Sequence, residues 1–223
     1  VFAALATGGA VVAGQYIGQK RADKASKAGE QLLVFVTLIS IIIMTVLYIG
    51  KDFILNVVFG QIEPDVAAYS TTYMLIVFSS IPFIAIYNSG AALFRAMGNS
   101  KITMIISIVM NAINVIGNAI LIYGFRRGVE GVAIPTLVSR VVAAVIIVAL
   151  LRNQELIIHI SKPFRYKFNR RMVVKMLRIG IPNGVENSMF QLGKIMLLSV
   201  VAGFGTASIT ANAVGNTVSA FEI

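Results

Sequence analysis

The chain has 223 residues, 57% of them hydrophobic and 13% charged, with no cysteine, no tryptophan and a formal net charge of +10. Soluble domains contain about 25% charged residues, so this composition excludes an ordinary soluble enzyme. The basic balance is typical either of nucleic-acid-binding proteins or of loops beside anionic lipid, and the positions of the cations decide between the two.

Apolar segments follow one another along the chain, and each is about 17–26 residues long, enough for a helix to cross a hydrocarbon core of roughly 30 Å. The sequence therefore predicts an all-α, polytopic membrane bundle. An odd number of spans, a first residue other than Met and the abrupt end at Ile223 indicate a piece of a larger membrane protein. The seven predicted spans are 1–18, 32–50, 69–94, 102–125, 129–151, 179–204 and 207–223.

Cations are concentrated in alternate connections between the spans. Fourteen of the 19 lie in the predicted loops 19–31, 95–101 and 152–178. The positive-inside rule places these loops in the cytoplasm and makes the chain a multi-pass protein, with the lipid bilayer as its partner. A nucleic-acid partner is not expected, because the basic residues are divided among loops rather than gathered on one soluble module. Arg140 and Lys194 lie inside spans.

Two prolines lie where a transport helix would bend. Pro82 is in the middle of the third span, which indicates a plain kink or a packed, water-lined environment, and Pro182 opens the sixth span. Between the fifth and sixth spans, the apolar stripe of 170–178 is suited to lying on the membrane surface. His159 has no ligand partners at suitable spacing and is expected to be a surface histidine.

A polar stripe runs along the fourth span, and its members fall within about 60° of arc at 100° per residue. Such a stripe indicates either hydrogen bonds between helices or the wall of a wet cavity, and four residues in register favour the cavity. The members are Ser107, Asn111, Asn114 and Asn118.

The fifth and sixth spans carry further polar residues. Arg140 needs a carboxylate, backbone carbonyls or an anionic ligand at this depth. Glu186 is either a carboxylate that loads a proton or a monovalent cation, or a residue at the cytoplasmic interface. The remaining candidates for a cavity lining are Thr136, Ser139, Asn187, Gln191 and Lys194.

No catalytic constellation is present in the sequence. It contains no thiol nucleophile, no cluster of histidines and carboxylates, and no phosphate-binding loop. We therefore expect neither an enzyme nor a cofactor or bound metal beyond a coupling ion, and we expect energy to come from ion gradients rather than from ATP.

Several motifs resemble those of the multidrug and toxic compound extrusion (MATE) family over essentially the whole chain. Its spans look like the second to eighth of that family's twelve. The resemblance implies three parts: 1–151 as five first-lobe helices, 152–178 as a basic cytoplasmic inter-lobe loop, and 179–223 as the first two helices of a second six-helix lobe. The motifs are Gly14-Gln-Tyr-Ile-Gly18, Phe94-Arg-Ala-Met-Gly-Asn-Ser-Lys101, Asn114-Val-Ile-Gly-Asn118 with its continuation to Gly124, Gly128-Val-Glu-Gly-Val-Ala-Ile-Pro-Thr136 and Ile179-Gly-Ile-Pro182.

The resemblance implies a secondary antiporter that exports amphipathic, often cationic, organic compounds in exchange for Na⁺ or H⁺, working together with the remaining helices of the full-length chain. It also implies the plasma (inner) membrane as the location. The family's first-lobe cation site maps onto Asn114, Asn118 and Thr136. Because Asn118 stands where the family often has Asp, one ionisable group is lost and proton coupling at that position is excluded, whereas coordination of a cation by amide oxygens is retained.

Two other functions are compatible with parts of the sequence. A lipid-linked saccharide flippase of the same superfamily would need a more cationic cavity, to which Arg140 and Lys194 would contribute. A membrane-embedded scaffold or enzyme subunit is disfavoured by the polar stripe and by the lack of catalytic groups.

Overall fold

A computed structural model describes residues 2–51, 64–125, 127–161 and 168–202, and these contain helices and turns but no strand. The predicted seventh span, 207–223, lies outside the described residues. In chain order the helices are α1 (Phe2–Gly18), α2 (Ala22–Ile49), α3 (Pro64–Ser79), α4 (Ile81–Ala96), α5 (Ser100–Ala119) with a π-helical continuation (Ile120–Gly124), α6 (Glu130–Leu151) and α7 (Arg170–Ala202).

Within the described residues, three helices are long and apolar enough to cross a membrane: α2, α5 with its π-helical turn, and α6. A fourth span arises if α3 and α4 are counted as one bent helix, and α1 is a shorter apolar helix of 17 residues. Helix α4 lies at the centre of the bundle and packs against α1, α2 and α6, while α5 packs against α6. The core includes the fully buried Leu32, Leu93, Phe94 and Ile147.

The predicted third span is broken near its middle. Helices α3 and α4 meet at an angle of 41°, and the break falls at Ser80, so that Pro82 occupies the first turn of α4. A proline costs little there, because the first amides of a helix have no acceptor within the helix. Tyr48 of α2 supports the break from the side, since its hydroxyl lies 2.7 Å from the Leu75 carbonyl oxygen and 2.5 Å from Ser79 Oγ.

Helix α1 and the first turns of α7 pack backbone against backbone. A Cβ atom added to Gly8 would lie 2.4 Å from the carbonyl oxygen of Met176, and one added to Gly180 would lie 3.1 Å from the carbonyl oxygen of Ala4. The two helices run in opposite directions: Ala4 lies beside Gly180, whereas Gly8, further along α1, lies beside Met176, which comes earlier in α7. Glycine is required at Gly8 because no side chain fits between the two backbones.

The structure corrects the predicted environment of the 170–178 segment. Its apolar residues Met172, Val173 and Met176 are buried in the protein core and do not lie on a membrane surface. The segment is helical and belongs to α7, which begins at Arg170 and continues through Pro182. The earlier prediction failed because an apolar stripe on a helix serves equally well against α1 or against lipid.

Helix α2 also begins earlier than predicted, at Ala22, so most of the predicted loop 19–31 is helical. Its cations Lys24 and Lys27 are exposed, while Ala25 and Ala28, which follow them directly, are fully buried. Hydropathy placed the start of the helix at Leu32 because the charged side chains of the first turns masked an amphipathic helix.

The connection between α6 and α7 is fastened to the first turns of α2. The backbone amides of His159, Ser161 and Asn169 donate to Ser26 Oγ (3.3 Å), Glu30 Oε1 (2.7 Å) and Gln31 Oε1 (3.1 Å). Ile158 is buried. The His159 ring lies 3.0 Å from the Leu156 carbonyl oxygen through Nδ1, within the same connection.

By its internal contacts the chain divides into Val1–Ile181 and a second unit that begins at Pro182. In the second unit the described residues continue α7, and the side chains from 185 to 197 are all exposed. The three-part assignment to lobes and loop stays a prediction.

Candidate functional site

A chain of side-chain hydrogen bonds joins α5 to α6. Asn118 Nδ2 donates to Asn114 Oδ1 at 3.1 Å, and Asn114 Nδ2 donates to Thr136 Oγ1 at 3.0 Å. Thr136 Oγ1 in turn donates to the backbone carbonyl of Val132 at 2.9 Å. The three residues that the family resemblance grouped as a cation site therefore lie together, and all three are half-buried.

One atom of this chain lacks a partner among the described residues. Asn118 Oδ1 is buried and accepts no hydrogen bond there. A buried carbonyl oxygen without a donor costs about 1–3 kcal/mol, unless a donor or a cation approaches it. Together with Asn114 Oδ1 and Thr136 Oγ1, it gives the cluster three neutral oxygen atoms of the kind that bind hard cations.

The close approach of α5 and α6 depends on Gly117. A Cβ atom at this position would lie 2.7 Å from Pro135 Cβ, so a larger residue would force the helices apart. Pro135 is buried inside α6. Immediately after Asn118, the helix widens into the π-helical turn from Ile120 to Gly124, a geometry that is frequent at functional sites. The glycine and the proline thus position the amides of α5 against Thr136.

The rest of the predicted polar stripe lies outside this chain of hydrogen bonds. Asn111 is exposed and Ser107 is half-buried. Ser139 is buried, and its hydroxyl donates to the Thr136 carbonyl oxygen at 3.0 Å within α6. Of the stripe residues, Asn114 is therefore the one whose side chain bonds to the neighbouring helix, and Asn118 joins the chain of hydrogen bonds through Asn114.

Arg140 of α6 reaches the break between α3 and α4. Its Nη1 donates to Ser80 Oγ at 2.5 Å, and the fully buried Ser80 donates to the Val77 carbonyl oxygen at 2.6 Å. Arg140 forms no ion pair among the described residues, where the salt bridge found joins Arg127 to Glu130 at the start of α6. Sequence reasoning missed Ser80, although its position just before Ile81-Pro82 marks a helix start.

The candidates of the second unit lie on the exposed surface of α7. Glu186, Asn187, Gln191 and Lys194 are all exposed. Asn187 Nδ2 donates to the Asn183 carbonyl oxygen at 2.7 Å, and Lys194 Nζ lies 4.8 Å from the centre of the Phe190 ring. These contacts are local to the helix, and the predicted role of the four residues in a cavity stays a prediction.

Long apolar helices that enclose a polar cluster define an integral membrane bundle. The family model of MatE matches residues 1–120. The chain belongs to the MatE family, whose members are transporters of biological membranes, and this confirms the family and the all-α membrane fold expected from the sequence.

Similar proteins are found among bacterial transporters. The probable multidrug resistance protein YoeA of Bacillus subtilis (strain 168) is 25% identical, over 97% of this chain and 48% of the relative. The multidrug export protein MepA of Staphylococcus aureus (strain MW2) is 29% identical, over 65% of this chain and 32% of the relative. The chain spans about half the length of YoeA and less of MepA.

Solved structures show the same fold. An outward-facing multidrug resistance MATE family transporter superposes with a TM-score of 0.82 at 20% identity, covering 97% of this chain and 47% of that one. A MATE in complex with MaD3S gives 0.87 at 20% identity, over 95% of this chain and 48% of that one. A transporter from Pyrococcus furiosus, described as having a binding pocket of reverse polarity, superposes with a TM-score of 0.85 at 19% identity. The match covers 98% of this chain and 48% of that one.

Proposed function

We propose that this chain supplies the first helical lobe, and the start of the second, of an ion-coupled exporter of amphipathic organic compounds. The observation that carries the proposal is the chain of hydrogen bonds from Asn118 through Asn114 to Thr136, which leaves Asn118 Oδ1 without a donor. Polar groups inside membrane helices are costly and mark ion or substrate paths. The names of YoeA, a probable multidrug resistance protein, and MepA, a multidrug export protein, support a small organic molecule as cargo.

The chemistry of the cluster favours Na⁺ over H⁺ as the ion bound at this place. Amide and hydroxyl oxygens bind a hard cation without changing their protonation state, whereas proton coupling needs a group that titrates. Asn114, Asn118 and Thr136 contain no such group. Their oxygens would coordinate the ion directly, and the remaining ligands would come from water or from other parts of the full-length chain.

A lipid-linked saccharide flippase is the second candidate function. The specific observation in its favour is Arg140, a half-buried cation in the middle of α6 whose hydrogen bond goes to the neutral Ser80. A guanidinium has five donors and suits a phosphate group.

The full-length protein in proteoliposomes, with a Na⁺ or a proton gradient imposed separately, tests the proposal. We expect a Na⁺ gradient alone to drive accumulation of a fluorescent organic cation, because the candidate site binds an ion without titrating. Transport driven only by a proton gradient would contradict Na⁺ binding at this cluster. Translocation of a lipid-linked pyrophosphate without any organic-cation transport would favour the flippase.

The membrane orientation is a separate prediction. We propose that the connection around Gln154 faces the cytoplasm, because the cations of the chain are concentrated on that side. A cysteine introduced by Gln154→Cys, in a chain without native cysteine, should resist a membrane-impermeant maleimide in intact cells and react after permeabilisation. A matched cysteine introduced by Gly128→Cys, before α6, should show the reverse. Labelling of Gln154→Cys in intact cells would refute this orientation.

A further inference from the structure

A groove on the side of the bundle lies outside the cation cluster. Its volume is about 240 Å³, and its lining is almost entirely apolar. It extends from Glu30 along α2, with α4 and α6 forming the opposite wall and Ile160 of the α6–α7 connection at one end. The apolar lining residues are Leu33, Val34, Leu38, Ile86, Val148 and Ile160.

The groove opens onto a surface that suits hydrocarbon. Leu38 is 54% exposed, and Ile42, Val46 and Ile49 follow it on the same face of α2 with 62%, 61% and 80% exposure. These residues recur at three- and four-residue spacing, which places them in one stripe along the helix. Within the described residues nothing covers this stripe, and an uncovered apolar stripe on a membrane-spanning helix suits lipid. The groove beside it can therefore admit an acyl chain.

A cation stands at the end of the groove where α2 begins. Lys27 is exposed, and it shares a face of α2 with Val34 and Leu38 because seven and eleven residues are close to whole numbers of turns. The rise of a helix puts its Cα about 10 Å before that of Val34, toward the α1–α2 turn. Glu30 is buried, and one of its carboxylate oxygens accepts a hydrogen bond from the Ser161 amide. Lys27, which is exposed, is therefore the nearer charged group for a headgroup at this end of the groove.

The surroundings of Lys27 favour an anionic headgroup. Lys20 and Arg21 lie just before α2 and Lys24 lies in its first turn; all three are exposed, and none has an ion pair among the described residues. Together with Lys27 they outnumber the exposed carboxylate of this stretch, Asp23. Each cation near an anionic membrane surface contributes to the attraction of acidic lipid. A phospholipid could place an acyl chain against the apolar lining of the groove and its phosphate beside the ammonium group of Lys27.

We propose that the groove between α2, α4 and α6 is a phospholipid site, in which one acyl chain lies along Leu33, Val34 and Leu38 and Lys27 binds an anionic headgroup. The bound lipid contacts Ile160, so it covers the connection between α6 and α7 where that connection is fastened to α2. The proposal does not depend on what the protein transports.

Native mass spectrometry of the full-length protein, purified from a mixture of equal parts phosphatidylglycerol and phosphatidylcholine, tests the site. We expect preferential retention of phosphatidylglycerol, and Lys27→Gln should lower that preference about fivefold, the factor for one cation near an anionic surface. Lys101→Gln is the matched control, because Lys101 is an exposed lysine on α5, a helix that contributes no residue to the groove, and it should leave the preference unchanged.

Filling the groove tests the acyl-chain half of the site. Val34→Phe should remove retention of both lipids, whereas Ile42→Phe, one turn beyond the groove, should not. Leu38→Phe, at a residue that is already half exposed, gives a second blocking variant that leaves the core intact. A phosphatidylglycerol with a photoreactive acyl chain should cross-link to the peptide that contains residues 33–38.

Four outcomes would overturn the proposal. These are equal retention of both lipids by the unmodified protein, an equal effect of Lys27→Gln and Lys101→Gln, cross-linking confined to other helices, and displacement of the lipid by inorganic phosphate alone. Displacement by tetraphenylphosphonium, with loss of the cross-link, would instead identify an organic cation as the occupant.

Discussion

Asn114→Ala is expected to lower ion-driven efflux by the full-length protein about tenfold, at equal expression. Asn114 accepts from Asn118 and donates to Thr136, so its removal interrupts the chain at the centre. Leaving buried polar groups without partners costs about 1–3 kcal/mol, which corresponds to roughly one to two factors of ten in ion affinity. Initial efflux rates at several Na⁺ concentrations measure the effect, and the loss should be smallest at saturating Na⁺.

Asn111→Ala is the matched control, because Asn111 is an exposed asparagine one turn earlier on the same helix. It should retain the Na⁺ dependence of the unmodified protein, because Asn111 lies outside the chain of hydrogen bonds. Asn118→Asp adds a titratable carboxylate to the cluster and is expected to add a pH dependence that the parent lacks. Equal effects of the two alanine variants, or unchanged ion dependence in Asn114→Ala, would refute the assignment of the ion site to this cluster.

Gly8→Ala should be the most destabilising of the single-methyl changes considered for this fold. The added Cβ would lie 2.4 Å from the Met176 carbonyl oxygen and 2.8 Å from the Gly180 backbone nitrogen, atoms that belong to the backbone and cannot rotate away. Overpacking costs about 1–3 kcal/mol, and backbone contacts place this change at the upper end of that range. A thermal melt of the full-length protein and its monodisperse yield should both fall.

Gly14→Ala, on the same helix, provides the opposite expectation. A Cβ at Gly14 meets nothing within 4 Å. Alanine is the better helix former by about 1 kcal/mol, so the melting temperature should stay the same or rise. If Gly8→Ala and Gly14→Ala had the same melting temperature, the close packing of α1 against the first turns of α7 would be wrong.

The hydrophobic pattern predicted the helical fold and the approximate centres of the helices, because long apolar runs have few alternatives to a membrane helix. It misplaced helix ends where the chain leaves the apolar region. Helix α2 begins at Ala22 rather than Leu32, and α7 begins at Arg170 rather than Ile179. In both places the helix begins before the apolar run, in a segment with one charged and one buried face. Mean hydropathy does not detect this pattern.

The candidate site was predictable in part. Asn114 and Asn118 were found from their shared face on one helix, but only the resemblance to a family joined them to Thr136, which is 22 residues from Asn114. Ser80 was not found, because its bond with Arg140 joins residues 60 apart and a lone serine carries no periodic signal. Contacts of this kind depend on how helices pack, which a single sequence does not encode in its local pattern.

The attachment of the α6–α7 connection to α2 has a practical consequence for protein engineering. Exposed loops between helices are the usual places for inserted tags, reporters or cleavage sites, because their backbone groups bond mainly to water. In this connection the amides of His159 and Ser161 are bonded to side chains of α2, and Ile158 is buried beside Gly29. An insertion between Ile158 and Ser161 would therefore break the hydrogen bonds that hold this connection to α2 and displace a buried side chain.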